Sequence, residues 1–281
     1  MKLKKIFLLL LISLSSPFIF AQQSYKVSVT GSGKPVLFFP GIGCPGEVWE
    51  ETVSELSKTY ECHVFTFAGF GEVPPVGTPW LSRIKEEILE YADSNNLVAP
   101  TLIGHSLGGT LSLWMATTDT TLFEQVIVVD ALPATAALMI PNYQGQELKY
   151  DSPQNKMMVE MDQKSFEELT SRNSSFLSLN KEKHSQITKW ITEADRKTYV
   201  YGYTEMLNLD LRDQIAQIKT LVTVIAATFP DKATIQKNYL DQYRKLPSTE
   251  FIYAENSAHF IMFDQRDWFI EQLKKLLEKG E

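Results

Sequence analysis

Cysteine and histidine are scarce in this chain of 281 residues, which contains 2 cysteines and 4 histidines. No two of these residues stand at the spacing that a metal site needs, so the sequence predicts no metal centre. Cys44 follows one predicted strand, and Cys62 precedes the next. If those strands are parallel neighbours, the thiols lie at opposite ends of the sheet, too far apart for a disulfide. We therefore expect two buried, unpaired cysteines.

Positive charge is also in short supply, because 27 lysines and arginines face 34 acidic residues and the formal net charge is −7. Such an acidic protein is poorly suited to bind nucleic acid or an anionic membrane. The segment Gly69-Phe70-Gly71 lacks the following lysine that a phosphate-binding loop needs. We therefore expect a small neutral or apolar partner, no nucleic acid and no cofactor.

Long apolar runs are missing except at the start of the chain. Three lysines lie among the first five residues, an apolar run covers residues 6–12, and Ala21 offers a small residue for cleavage. This layout predicts a signal peptide at residues 1–21 and export to the periplasm or the cell exterior. Its removal would lower the formal charge from −7 to −10. An uncleaved membrane anchor is the alternative, although the run is short for a span; after cleavage we expect no stable membrane insertion.

The remaining sequence has the composition of a globular domain, with 44% hydrophobic and 22% charged residues. Short apolar runs predict strands, and amphipathic stretches between them predict helices. The predicted strands lie at residues 27–30, 35–39, 63–67, 100–103, 126–130, 221–226 and 250–254. The predicted helices of this part lie at residues 49–58, 80–96, 110–118 and 265–279. This alternation predicts an α/β fold with a mostly parallel central sheet flanked by helices.

The alternation stops between residues 131 and 213, where helical stretches at 154–170 and 181–208 occur without a buried strand. We interpret residues 131–213 as a helical cap inserted over the carboxyl ends of the strands, with residues 22–130 and 214–281 forming the core. Met139, Met157, Met158 and Met161 fall in this insertion. They either line an apolar pocket or simply pack the cap against the core.

Residues 104–108 read Gly-His-Ser-Leu-Gly and fit the pattern G-x-S-x-G. The pattern directly follows a predicted buried strand and opens a predicted helix. A serine on such a sharp turn projects its hydroxyl above the sheet, and the glycines remove side chains that would clash there. The amide groups at the start of the helix face developing negative charge. Ser106 is therefore the candidate nucleophile.

With these motifs the chain resembles the α/β-hydrolase superfamily, specifically its cap-bearing, esterase-like serine hydrolases. The resemblance covers about residues 25–279. The matching motifs are Gly-His-Ser-Leu-Gly-Gly at 104–109, Pro-Gly at 40–41, Ala-Gly-Phe-Gly at 68–71 and Ala-His-Phe at 258–260. The resemblance implies the α/β-hydrolase fold and catalysis through an acyl-enzyme without a metal.

The same resemblance assigns the base and the oxyanion hole. His259 follows the strand at 250–254, where the family places its catalytic histidine, whereas His63 lies within a predicted strand and His184 in the insertion. The backbone amides of Leu107 and Ile42 are the expected oxyanion donors. The loop before Ile42 opens with Pro-Gly where the family has His-Gly, so an ordinary loop is the alternative there.

The acid of the triad has two candidates. The family commonly places it after the strand that follows the cap, where this chain has Pro230 in the expected register and Asp231 one residue later. Other members place it at the end of the strand after the nucleophile helix, where this chain has Asp130. We favour Asp130, and Asp231 remains open.

Together these features predict a serine hydrolase that cleaves an ester or a related small acyl substrate. Amide, thioester, lactone and carbon–carbon bond cleavage remain open. The competing hypothesis is a catalytically inactive hydrolase fold that serves as a binding protein. A missing nucleophile, base or elbow glycine would favour that hypothesis, and all three are present.

Overall fold

The structure is a computed structural model and describes residues 22–279. The predicted signal peptide at residues 1–21 lies outside the described residues and stays a prediction. No helix within residues 22–279 is long and apolar enough to cross a bilayer.

A seven-stranded sheet forms the centre of the protein. Its strands are β1 (Tyr25–Thr30), β2 (Pro35–Phe39), β3 (Glu61–Phe67), β4 (Thr101–His105), β5 (Gln125–Val129), β6 (Leu221–Ala227) and β7 (Glu250–Ala254). Their order is β1-β3-β2-β4-β5-β6-β7, with β1 antiparallel to β3 and every other pair parallel. The predicted mostly parallel α/β sheet is therefore confirmed.

Helices cover both faces of this sheet and fill the interval between β5 and β6. They are α1 (Glu50–Leu56), α2 (Leu81–Ser94), α3 (Leu107–Thr118), α4 (Thr135–Met139), α5 (Pro153–Glu160), α6 (Gln163–Leu177), α7 (His184–Glu193), α8 (Arg196–Asn208), α9 (Lys232–Gln242), α10 (Ile261–Asp264) and α11 (Arg266–Lys279). Short 3₁₀ turns occupy Gly46–Trp49, Lys181–Lys183 and Gln214–Gln217.

Two apolar clusters, one on each face of the sheet, form the core. Alternate residues of β2 show the division, since Leu37 and Phe39 join one cluster while Val36 and Phe38 join the other. Helices α2 and α3 pack into the first cluster, and α1 and α11 pack into the second. Because both faces are covered, the central strands read as continuous apolar runs.

The insertion between β5 and β6 contains helices but no strand within residues 131–213. Each of the two helical stretches predicted there contains two helices, α5 and α6 in the first and α7 and α8 in the second. Asp162 caps the start of α6, where its carboxylate accepts a hydrogen bond from Ser165 N at 3.0 Å. Asp195 caps the start of α8 and accepts a hydrogen bond from Thr198 N at 2.8 Å. Each aspartate satisfies an amide that would otherwise lack a partner, so each starts a new helix.

Helix α8 fastens the insertion to the core at two places. The carboxylate of Glu205 accepts hydrogen bonds from Trp80 N at 2.9 Å and Leu81 N at 2.6 Å, at the start of α2. Asp195 N donates to the carbonyl of Gly69 at 2.7 Å. These bonds fix α8 to the segment that connects β3 to α2.

Both cysteines are free and buried, as the strand arrangement predicted. Burial raises the pKa of the Cys44 and Cys62 thiols to about 12, so both remain protonated at neutral pH. Within residues 22–279, no group of three or more potential metal-ligating side chains comes together.

Candidate active site

Ser106 occupies the turn between β4 and α3 with a strained backbone of φ 52° and ψ −118°. The glycines on either side permit this turn. A Cβ atom at Gly104 would lie 2.1 Å from the carbonyl oxygen of Gly108, and one at Gly108 would lie 2.3 Å from that of Phe39. No larger residue fits at either position without moving backbone.

His259 and Asp130 meet above the sheet. The His259 Nδ1 and Asp130 Oδ2 atoms are 2.6 Å apart, although the residues are separated by 129 positions in the chain. Asp130 follows β5, and His259 lies in the loop after β7. In a parallel sheet both positions belong to the carboxyl edge, the same edge at which Ser106 leaves β4.

The Asp130 carboxylate is held by three donors. Its Oδ1 atom accepts hydrogen bonds from Ala227 N and from the Tyr239 hydroxyl, both at 2.9 Å, while its Oδ2 atom faces His259. Burial alone would raise the pKa of Asp130, but the hydrogen bond and charge of His259, with the other two donors, leave that pKa below its ordinary value. The carboxylate is therefore negative at neutral pH.

Asp231, the other candidate acid, lies elsewhere. Its carboxylate caps the start of α9 and accepts a hydrogen bond from Thr234 N at 3.0 Å. The side chain is exposed and makes no hydrogen bond to His259 among the described residues. The geometry joins Asp130, and not Asp231, to His259.

His105, to which sequence analysis gave no role, supports the histidine loop. Its Nε2 atom lies 3.0 Å from the carbonyl oxygen of His259, and the two rings have centroids 4.6 Å apart. Burial, together with the neighbouring His259, lowers the pKa of His105 to about 3. The ring is therefore neutral, and its Nε2–H donates to the His259 carbonyl.

Asp264 provides a second support that sequence analysis missed. Its Oδ2 atom accepts from Ala258 N at 2.7 Å, and its Oδ1 atom accepts from Ser178 Oγ at 2.6 Å and Leu179 N at 2.9 Å. The neighbouring Phe260 N donates to the Leu177 carbonyl at 2.9 Å. Ala258, on one side of His259, is thus bonded to Asp264, and Phe260, on the other side, is bonded directly to the insertion. Asp264 is in turn bonded to the insertion.

The expected oxyanion donors border the nucleophile. Leu107 is the first residue of α3, so its N–H has no acceptor within the helix. Ile42 lies in the loop after β2, where a Cβ atom at Gly41 would lie 3.3 Å from the Ser106 Cβ. This loop therefore runs directly beside Ser106, and Ile42 lines the same cavity as Ser106 and His259.

The cavity has a volume of about 590 Å³, within the usual range for small-molecule sites. Helices α4, α6 and α8 of the insertion form much of its wall. Their contributions include Leu138, Met139, Thr170, Asn173, Phe176, Leu177, Tyr199, Tyr203 and Met206. Of the four methionines considered from sequence, Met139 alone lines the cavity, while Met158 and Met161 pack against the core.

Comparison with known proteins places the chain in a family. The sequence pattern of the alpha/beta hydrolase family matches residues 36–272, so the chain belongs to that family. It is 23% identical over 259 residues to a pimeloyl-[acyl-carrier protein] methyl ester esterase of Vibrio atlanticus, covering 89% of this chain and 97% of that protein. It is 19% identical over 257 residues to a 3-oxoadipate enol-lactonase of Acinetobacter baylyi, covering 89% and 91%.

Solved structures are similar over the same extent. An esterase from Exiguobacterium antarcticum has a TM-score of 0.76 at 16% identity, covering 91% of this chain and 98% of that one. A thermophilic esterase from Thermogutta terrifontis has a TM-score of 0.71 at 18% identity, covering 91% and 93%. At these identities the likeness concerns the fold.

Proposed function

We propose that the protein is a serine hydrolase that cleaves an ester or a related small acyl substrate, with Ser106 as nucleophile, His259 as base and Asp130 as acid. The hydrogen bond of 2.6 Å between His259 and Asp130, beside a cavity that both share with Ser106, carries this proposal. The strained elbow and the esterases among the relatives support it.

Acylation begins when the Ser106 hydroxyl attacks the substrate carbonyl carbon and His259 Nε2 takes the hydroxyl proton. The negative oxygen of the tetrahedral intermediate accepts hydrogen bonds from the amides of Leu107 and Ile42. The bond from the carbonyl carbon to the alcohol oxygen then breaks. His259 gives its proton to the departing alcohol, and an ester of Ser106 remains.

Deacylation repeats these steps with water. His259 Nε2 takes a proton from water as its oxygen attacks the acyl carbon, and it returns the proton to Ser106 as the acid product leaves. Asp130 keeps its charge throughout, because its role is to hold the Nδ1–H of His259 and to stabilise the protonated ring.

A fluorophosphonate probe tests this proposal on the full folded chain. Attack by Ser106 on phosphorus expels fluoride and leaves a stable phosphonyl ester, so peptide mass analysis should find the adduct on Ser106. The Ser106→Ala variant and heat-unfolded protein should remain unlabelled. Absence of an adduct on folded protein would count against the enzyme and favour a catalytically inactive binding protein.

Asp264 offers a separate prediction about positioning. In Asp264→Ala the Ala258 amide and the segment 178–180 lose their shared acceptor, so His259 should sit less accurately over Ser106. We expect kcat for a simple ester to fall about 10- to 100-fold with little change in KM. Asp267→Ala removes an exposed carboxylate three residues away and should leave kcat unchanged.

Thermal unfolding of both variants gives the temperature range in which each is folded. A lower kcat measured well below that unfolding temperature then reflects the position of His259 and not a loss of folded protein. If Asp264→Ala retained kcat within twofold of the parent protein, the bonds around Asp264 would be structural only.

A further inference from the structure

The charge around the cavity is one-sided. None of the described residues that line it is a lysine or an arginine, and Asp130 is its one carboxylate. The low pKa of His105 keeps that ring neutral at physiological pH. The lining therefore contains the negative carboxylate of Asp130, the ring of His259 that is hydrogen-bonded to it, and otherwise neutral side chains.

Apolar side chains continue from the cavity to its mouth. Leu138, Met139, Phe176 and Phe229 line the cavity and are each between 40% and 69% exposed. Large apolar side chains that line a cavity and are also exposed to solvent indicate a surface for an apolar ligand. A hydrocarbon chain that extends beyond the cavity therefore still meets apolar surface.

Two cations that are close in sequence to cavity residues, Arg172 and Lys232, do not supply the missing positive charge. Arg172 shares α6 with Thr170 and Asn173, but it is exposed and lies outside the cavity lining. Lys232, which follows the cavity residues Phe229 and Pro230, is engaged by Glu255 in an ion pair. An anion in the cavity therefore has no built cationic partner.

We propose that the enzyme selects esters of uncharged hydrocarbon acids and rejects acyl groups that end in a carboxylate. The inference rests on the proposed function and names its substrate class. A carboxylate brought into this apolar cavity would lose hydration without gaining a cation, and it would approach the negative Asp130. A terminal methyl group in the same place would lose no favourable hydration, and its burial would be stabilising because it removes apolar surface from water.

Three matched esters test this selection on the full-length enzyme: p-nitrophenyl hexanoate, mono-p-nitrophenyl adipate and methyl p-nitrophenyl adipate. They share the leaving group and the acyl backbone, and they differ at the far end in being apolar, anionic or polar but uncharged. We expect kcat/KM for the hexanoate to exceed that for the anionic ester about 100-fold. The methyl diester should stay within about tenfold of the hexanoate, because its end group carries no charge.

A positive charge added to the cavity wall should reduce the ratio of kcat/KM for the hexanoate to kcat/KM for the anionic ester. Asn173 is exposed and lines the cavity, so Asn173→Arg places a guanidinium at its edge without burying it. We expect the hexanoate-to-anion ratio to fall about tenfold, since one charge-assisted hydrogen bond becomes available. Arg172→Ala, on the adjacent position outside the lining, should leave the ratio unchanged.

The outcomes are distinct. A hexanoate-to-anion ratio below ten in the parent enzyme overturns the inference while leaving the serine hydrolase intact. An equally poor rate with the methyl diester also overturns it, because polarity or length would then explain the rejection of the anion. No turnover of any of the three, with Ser106 unlabelled by the fluorophosphonate, overturns the proposed function and this inference together.

Discussion

Ser106→Ala should lower kcat/KM for p-nitrophenyl hexanoate by about 10⁴-fold or more, the largest effect expected of any single substitution. The hydroxyl forms the covalent bond, so its removal eliminates the acyl-enzyme route and leaves only water attack assisted by the oxyanion donors. Alanine fits the elbow as serine does, apart from the absent hydroxyl, because the flanking glycines make the required space. Stability should therefore change little.

Ser112→Ala is the matched control for this substitution. Ser112 lies on the same helix α3, is fully buried and donates to the Gly108 carbonyl at 2.8 Å. The Ser112→Ala substitution removes a side-chain hydroxyl near the elbow but leaves the nucleophile in place, so kcat/KM should stay within a few-fold of the parent value. Similar losses in both variants would show that activity depends on packing of α3 rather than on attack by Ser106.

The parts of the fold that could be predicted are those fixed by neighbouring residues. Each buried strand was predicted from a short apolar run. The elbow was predicted from its glycines, because Gly104 and Gly108, each two residues from Ser106, leave no room for a side chain. Free cysteines followed from strand direction alone. In each case the physical cause lies within one segment or between adjacent strands.

The features that were not predicted depend on contacts between residues far apart in the chain, on weak apolar periodicity or on one helix-capping residue. Asp264 meets Ser178 and Leu179 more than 80 positions away, and nothing in the local sequence marks that contact. Helix α9 was not predicted, since Tyr239 faces inward while Leu240 beside it is exposed, and the apolar periodicity is weak. The breaks at Asp162 and Asp195 were readable in principle, because aspartate is a strong helix start.

The choice between Asp130 and Asp231 shows the same limit. Both follow buried strands, β5 and β6, that are neighbours in the sheet, so local patterns allow either. What separates them is side-chain direction. Asp130 takes a positive φ of 46° and turns its carboxylate toward the loop after β7, whereas Asp231 turns its carboxylate back to cap α9. A substitution at each position therefore has very different expected results.

Asp130→Asn should lower kcat about 10³- to 10⁴-fold with KM nearly unchanged. An asparagine at position 130 has one acceptor oxygen, and the Ala227 amide and the Tyr239 hydroxyl already require it. Its NH₂ group then faces Nδ1 of His259, which must become an acceptor. The ring proton moves to Nε2, and Nε2 can no longer take the proton of Ser106.

Asp231→Asn is the control, and it should retain kcat within about twofold. Asparagine caps a helix as well as aspartate does, so α9 and its Thr234 contact should persist. Steady-state kinetics of the two variants, with thermal unfolding to verify folding, decide between the candidates. A large loss in Asp231→Asn together with full activity in Asp130→Asn would reverse the assignment, because charge at position 130 would then be irrelevant to the base.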